Sequence, residues 1–314
     1  MKTFLWGYFG GLNVGDELIL RAEIELLGPE NVIVVARGNP FYVADLHDVE
    51  VISYKQALPL VPKGRHIIGG GGLFQDTTSI RNLFYYIYPM IFSQQSILLG
   101  VGIGPLHYRL SRRIVASALH SCHMISVRDS VSYHFVSSYV GIDRVMLVPD
   151  MVFMLNIVSY EETKDDELIL IPGPALGNHW EKVLHLTSQY KVTVVEFLPH
   201  IDCKWQNEYP SHWKVVNGIE ALKAGELWDI LAKGNRWIVG RLHGMILACL
   251  MNKSFYPIIY DMKMSLLTSD YCPVSYDDIG YANINITEAQ RVRFEALKAY
   301  RKIRKYLVGK GWVE

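Results

Sequence analysis

Short apolar runs alternate with glycine-bearing or charged turns along most of this chain. Residues 3–8, 31–36, 49–53, 65–68, 96–102, 124–127 and 145–148 are apolar stretches of strand length. Their hydrophobicity is nearly continuous, as expected of parallel strands covered on both faces. Helical patterns fall between them at 18–27, 82–92 and 110–121, and again from Ser130, the expected N-cap of its helix. A second series follows, with strands at 168–171, 191–197, 213–216, 237–239 and 255–260, the last of them. Its helices are expected at 179–190, 221–233 and 244–251. Two successive βα alternations predict an α/β protein of two Rossmann-like domains. The charged stretch 160–167 is the expected linker, which sets domain limits of 1–160 and 161–285. In 286–314, Thr287 and Gln290 have capping-box spacing and open a helix to Leu307, with Gly309 as its C′ residue. Val292, Ala296, Ala299, Ile303 and Tyr306 form its apolar stripe, expected to pack back on the first domain.

Composition narrows the function classes. The chain has 314 residues, 50% hydrophobic and 20% charged, and a formal net charge of zero. Two domains are the default at this length. A neutral chain lacks the basic footprint that nucleic-acid binding requires. Cys122, Cys203, Cys249 and Cys272 are widely spaced with no CxxC pair, which points to reduced thiols and a cytoplasmic setting without a zinc site or disulfide framework. The apolar residues 1–9 are too short for a signal peptide, and Asp16 and Glu17 follow closely. The longest apolar run, 82–92, is interrupted by Pro89 and is too short to span a bilayer. Membrane contact is therefore expected to be peripheral, at the inner face. One place for it is the last helix, where Arg291, Arg293, Lys298, Arg301, Lys302, Arg304 and Lys305 form either a solvated face or a dock for anionic headgroups.

The chemistry concentrates just past strand ends, the edge where open α/β sheets bind ligands. Glycines in 10–15 lie between a strand and a helix, but not in the G-x-G-x-x-G spacing of a nicotinamide or flavin site. Gly69 to Gly72 read as a loop pressed against a ligand, since four glycines carry a large entropic cost. Arg128 and Asp150 each follow a strand. The centre of the pattern is Arg241-Leu242-His243, a strand-to-helix turn. Backbone N–H groups at a helix start favour an anion, a guanidinium matches phosphate or carboxylate, and an imidazole exchanges a proton near neutral pH. A helix start capped by arginine, with His243 as a satisfied core histidine, fits the same local sequence. No cluster with metal-ligand spacing is apparent.

The ordered motifs Gly7 to Glu17, Gly69 to Asp76, Val127 to Asp129, Pro149-Asp150, Gly240 to His243 and Tyr260 to Lys263 together resemble the polysaccharide pyruvyl transferases. The resemblance runs from about residue 3 to 270. It implies a GT-B-like fold, two Rossmann-like domains facing across a cleft. It also implies transfer of the enolpyruvyl unit of phosphoenolpyruvate to a sugar of a cell-surface polysaccharide or its precursor. The product is a cyclic pyruvate ketal, formed without cofactor or metal. Carried over by motif, Arg128 and Arg241 hold the donor and His243 is the proton donor. Lys263 matches a Tyr-Asp-Pro-Lys motif in which Met262 replaces the proline. Leu242, Gly70 and Gly71 are assigned to the donor as well. Asn13, Asp16 and Asp76 are assigned to the acceptor, a sugar that is free or lipid-linked. A GT-B glycosyltransferase using a nucleotide sugar is the alternative enzyme, and a two-domain anion-binding protein the alternative outside enzymes.

Overall fold

The computed structural model describes residues 2–77, 79–157, 167–270, 274–276, 282–284 and 286–314. They divide into two compact units. The first comprises Met1–Gly11, Asp16–Met154 and Glu295–Glu314, and the second Leu12–Gly15 and Leu155–Phe294. The boundary expected at 160/161, with nearly all of the expected linker, lies outside the described residues.

The first unit is built on eight strands: β1 Thr3–Trp6, β2 Val32–Ala36, β3 Val51–Ser53, β4 Arg65–Ile68, β5 Gly71–Phe74, β6 Gln95–Ile103, β7 Met124–Val127 and β8 Val145–Leu147. All pair in parallel, in the order β3-β2-β1-β4-β6-β7-β8, with β5 alongside β6. The order reverses between β1 and β4. The loops leaving those two strands, Gly7 to Asn13 and Gly69-Gly70, therefore flank the switch point.

The second unit carries β9 Glu167–Ile171, β10 Lys191–Glu196, β11 Lys214–Asn217, β12 Gly234–Val239, β13 Ser254–Pro257, β14 Val274–Tyr276 and β15 Ala282–Ile284, in the order β11-β10-β9-β12-β13-β15-β14. Pairing is parallel from β11 to β13 and antiparallel beyond. Here the reversal falls between β9 and β12, beside Pro172-Gly173 and Gly240-Arg241. At this point Gly173 and Gly240 touch backbone to backbone. A Cβ on Gly173 would lie 1.9 Å from the Gly240 carbonyl oxygen, so both positions exclude a side chain.

Several expectations are corrected. Gly71 and Gly72 belong to a strand, because β5 continues the sheet where a free loop was expected. The expected helix 221–233 is two, Gly218–Lys223 and Leu227–Ala232, broken at Gly225 with φ +76°. Asp129, not Ser130, caps the helix Ser130–Val140 by accepting the Ser132 N–H at 2.7 Å. The strand from Ser254 is not the last, since β14 and β15 follow.

The final helix runs Ile286–Gly309 and begins before Thr287, so Thr287 is not its cap. Gly309 lies inside it. Gly311 takes the left-handed conformation at φ +68°, and the N–H groups of Gly311 and Trp312 close on the carbonyls of Val308 and Leu307. Its buried stripe is Val292, Ala296, Tyr300, Ile303 and Leu307. The expected stripe was right at three positions but drifted toward solvent at Ala299 and Tyr306. From Glu295 onward this helix belongs to the first unit, where Tyr300 Oη donates to the Pro149 carbonyl at 2.8 Å and Arg304 Nε to that of Leu26 at 2.9 Å.

Candidate active site

In the first unit, the carboxyl edge of the sheet is organised around Arg128, just past β7. The side chain is 5% exposed, and its Nη1 donates to Asp150 Oδ2 at 2.7 Å. Burial disfavours the guanidinium charge, but Asp150, Asp129 and Asp16 outweigh burial and hold it more firmly protonated than usual. Gly102 in β6 leaves room for this side chain, since a Cβ there would lie a tight 3.0 Å from Arg128 Nε. Asp16 lies beside Gly71, 3.4 Å from where a Cβ would be. Arg128, Asp16 and Gly71, three of the residues singled out from sequence, thus share one neighbourhood.

Beneath the glycines is a carboxylate that sequence reasoning missed. Glu23, on the helix Val14–Leu27, is fully buried and accepts the Gly70 N–H at 2.6 Å. A Cβ on Gly69 would lie 2.2 Å from its Oε1. Part of the reason for the glycine run is therefore this internal carboxyl rather than a ligand. Burial pushes Glu23 well above the ordinary carboxyl range; the Gly70 bond opposes this and the charge of Asp150 adds to it. Its neighbour Glu17 is likewise internal, joined to the Gly10 N–H at 2.8 Å and to His47 at 3.0 Å.

Asp76 is corrected. Its two carboxylate oxygens accept the backbone N–H groups of His107 and Tyr108 at 2.8 and 3.0 Å, and the side chain is buried. Burial raises its pKa, but these bonds outweigh it and hold the carboxyl below its usual range. Asp76 ties the loop after β5 to the loop after β6, and both of its oxygens are engaged by backbone there.

In the second unit, Arg241 and His243 lie at the start of the helix Leu242–Leu250, directly after β12. Arg241 is the N-cap residue, with extended backbone at φ −140°, ψ 142°, and its side chain does not cap the helix. Instead it turns to Asp202. Arg241 Nε donates to Asp202 Oδ2 at 3.2 Å and Nη2 to Oδ1, a bidentate pair. Asp202 is almost fully buried and also accepts the Leu198 N–H at 2.9 Å, while Arg241 keeps 12% of its side chain exposed. The Arg241 side chain thus gives the first N–H groups of the helix no cap, and the positive end of the helix lies at the strand end.

His243 is in the first turn of that helix rather than in the turn before it. The segment 12–15 covers its ring. The Val14 N–H donates to the Phe197 carbonyl at 2.9 Å and Asn13 Oδ1 accepts the Gly15 N–H at 3.1 Å. A Cβ on Gly15 would lie 1.9 Å from His243 Nδ1. Glycine lets the backbone come this close to the imidazole. Lys263 is not in a loop. It occupies the second position of the helix Met262–Asp270, which packs on the helix bearing His243 and is capped by Asp261 Oδ1 on the Met264 N–H at 3.1 Å. Met262 is the first residue of that helix, a position proline favours and methionine fills without strain. Of the residues that hold this edge, sequence reading named neither Asp202 nor Gly15 in these roles. Pro199 in the first turn after β10 was the available sign that residues 199–202 turn back toward the edge. Among the described residues, no group of three or more His, Cys, Asp or Glu is placed to hold a metal ion, and no helix is long and apolar enough to cross a membrane.

The comparisons with known proteins fit this architecture. A Klebsiella pneumoniae protein of uncharacterised function is 15% identical, with a TM-score of 0.52 over 86% of this chain and 88% of that one. UDP-GlcNAc 2-epimerase from Neisseria meningitidis, solved with UDP-GlcNAc bound, is 12% identical, with a TM-score of 0.54 over 86% and 85%. HepE from Anabaena, solved with UDP and glucose, is 9% identical, with a TM-score of 0.53 over 82% and 80%. At these identities the likeness is one of fold, and the fold is GT-B-like. No curated protein matches the sequence. The sequence profile of the polysaccharide pyruvyl transferases matches residues 13–262, from the glycine loop to the start of the helix bearing Lys263, and the chain belongs to that family of transferases.

Proposed function

We propose that this protein transfers the pyruvyl unit of phosphoenolpyruvate to two hydroxyls of one sugar, forming a ketal and releasing inorganic phosphate. The observation that carries the reading is Arg241 and His243 together at one helix start, on the switch point of the second sheet, in a chain of this family. Phosphoenolpyruvate bears a phosphate and a carboxylate on three carbons. Arg241, the N–H groups of Leu242 and His243, and Lys263 provide cationic and N–H donors for them. In the reaction C3 of the donor gains a proton, C2 becomes electrophilic, and the two sugar hydroxyls add in turn. One hydroxyl proton leaves with the phosphate, as hydrogen phosphate, and the other restores the acid. His243 is the residue we assign to the C3 proton, and Arg241 stabilises the departing phosphate charge. Arg128 is retained as a second donor contact, oriented by Asp150. Gly70 and Gly71 are retained as backbone that approaches the donor, and Asn13 and Asp16 as acceptor contacts; Asp76 is withdrawn. The donor is a cytoplasmic metabolite, so the reaction is assigned to the cytoplasm.

The test is to supply phosphoenolpyruvate with a panel of glycosides and, in parallel, UDP-sugars with the same acceptors. The expected result is phosphate release matched one to one by a new ketal methyl signal in the NMR spectrum. Release of UDP with no consumption of phosphoenolpyruvate would overturn the reading in favour of a nucleotide-sugar glycosyltransferase.

A further inference from the structure

One surface of the first unit has a composition unlike the rest of the chain. From Thr77 to Arg128 there is no aspartate or glutamate, while there are five arginines. A net charge of zero overall makes this a strong local asymmetry. The stretch holds the helices Arg81–Phe92 and Arg109–Leu119, which pack side by side, and the second of these packs on Ser130–Val140. Their inner sides enter a single hydrophobic cluster with the sheet, so they form one row on one of its faces. The helix Ser130–Val140 adds no acidic residue either.

The outer side of the row is unusually apolar. Phe84 is 50% exposed, Phe92 57%, Tyr108 57% and Leu110 60%, with Ile91 close behind at 42%. Arg81, Arg109 and Arg113 are exposed among them, and none of the three forms an ion pair among the described residues. Such positions normally carry mixed charge in a soluble protein. Large apolar side chains interleaved with unpaired arginines suit an anionic lipid surface: the rings and aliphatic chains enter the headgroup boundary while the guanidinium groups meet phosphates. A second copy of the same face is a poor partner, because it would oppose arginine to arginine.

We infer that the helices Arg81–Phe92 and Arg109–Leu119 form a peripheral dock for an anionic bilayer. The dock is rigidly tied to the ligand-binding edge of its sheet. Both helices begin at the carboxyl ends of their strands, β5 and β6. Asp76, which holds the His107 and Tyr108 N–H groups, fastens the two approaches together. An enzyme seated this way presents that edge to substrates carried in the membrane. The last helix is the weaker dock. Its arginines alternate with Glu288 and Glu295, and Arg291, Arg293 and Arg304 are bonded to Glu288, Asn156 and the Leu26 carbonyl.

Vesicle co-sedimentation of the full chain tests the inference and needs neither donor nor acceptor, so it stands or falls apart from the proposed reaction. Vesicles of phosphatidylcholine alone are compared with vesicles that also contain phosphatidylglycerol. Binding is expected only to the second kind and is expected to weaken with salt. Arg109→Glu/Arg113→Glu should weaken it at least about tenfold, as should Phe84→Ser/Leu110→Ser. Arg301→Glu/Lys305→Glu should leave it unchanged. All six positions are exposed, and thermal unfolding of each variant checks that it is folded. Absence of binding to anionic vesicles overturns the inference, as does binding untouched by both patch variants or lost instead in the last-helix variant. A self-association that Phe84→Ser/Leu110→Ser abolishes, in a protein that ignores vesicles, would assign the face to a second copy.

Discussion

Arg128 in the first unit and Arg241 in the second occupy corresponding places, one residue or two past a parallel strand, each bonded to a buried aspartate. Their surroundings differ. Arg128 is enclosed by Asp150, Asp129 and Asp16, with Glu23 close by, so its positive charge is more than balanced. Arg241 is paired with Asp202, is more exposed, and shares its position with a helix start whose partial charge is also positive. Two arginines that look equivalent in sequence thus sit in opposite local fields. The field at the second unit's edge favours an anion more than the field at the first, where carboxylates already balance Arg128.

The largest effect expected from that contrast is on stability. Arg128→Met leaves Asp150 buried without its cation, a loss of about 3–5 kcal/mol, read from urea unfolding. Arg128→Met/Asp150→Leu should regain most of it. Arg241→Met should be milder, because this pair is nearer solvent, but donor affinity should fall by about 2 kcal/mol from lost charge-assisted bonds. If Arg241→Met proves the more destabilising and Arg128→Met the more damaging to donor binding, the contrast is inverted.

Next in size is the proton. His243→Gln keeps a hydrogen-bonding side chain but cannot deliver a proton, so single-turnover transfer should drop by about a hundredfold or more, with donor binding nearly intact. Normal turnover would make His243 a positioning residue. Gly15→Ala probes the same imidazole from behind. Alanine is favoured over glycine in a helix by up to about 1 kcal/mol, but here its methyl would occupy the place of the His243 ring. Turnover should fall about tenfold through overpacking, which costs about 1–3 kcal/mol. Gly309→Ala, in the last helix with nothing within 4 Å, serves as the control and should be neutral or slightly stabilising.

How far these features were readable in the sequence follows from how local their causes are. The strands 65–68 and 124–127 were legible to the residue, because each ends abruptly, at Gly69 or at Arg128, after short β-branched or apolar residues. The strand-to-helix turn at Arg241 was legible too, but the helix begins at Leu242, two residues sooner than read, and takes in His243. What sequence could not show was partnership at long range. Asp202 meets Arg241 across 39 residues, Glu23 meets Gly70 across 47, and Gly15 meets His243 across more than two hundred. The glycine run was read as pressed against a ligand, whereas it presses in part on Glu23. Register also slipped where signals were weak. The last helix was rotated toward Ala299 and Tyr306 because alanine and tyrosine are found on either face of a helix.

The smallest expected effect concerns Glu23, and its sign separates the two units' chemistry. Because burial raises its folded pKa above the unfolded value, the folded state holds the proton more tightly. Stability from this group is therefore complete below the unfolded carboxyl range and is lost as pH rises from there through the folded pKa. Glu23→Gln fixes the neutral form. Its amide oxygen still accepts the Gly70 N–H, and its nitrogen takes the place of Oε2, which has no hydrogen-bond partner among the described residues. The difference in unfolding free energy between variant and parent should favour the variant increasingly as pH rises above the unfolded carboxyl range and level off above the folded pKa. Asp202→Asn, in the second unit, should instead lose stability, because the neutral amide cannot balance the charge of the bidentate Arg241. If Glu23→Gln instead loses stability evenly at every pH, then Glu23 is ionised in the folded protein, and the edge around Arg128 carries still more negative charge than the comparison assumes.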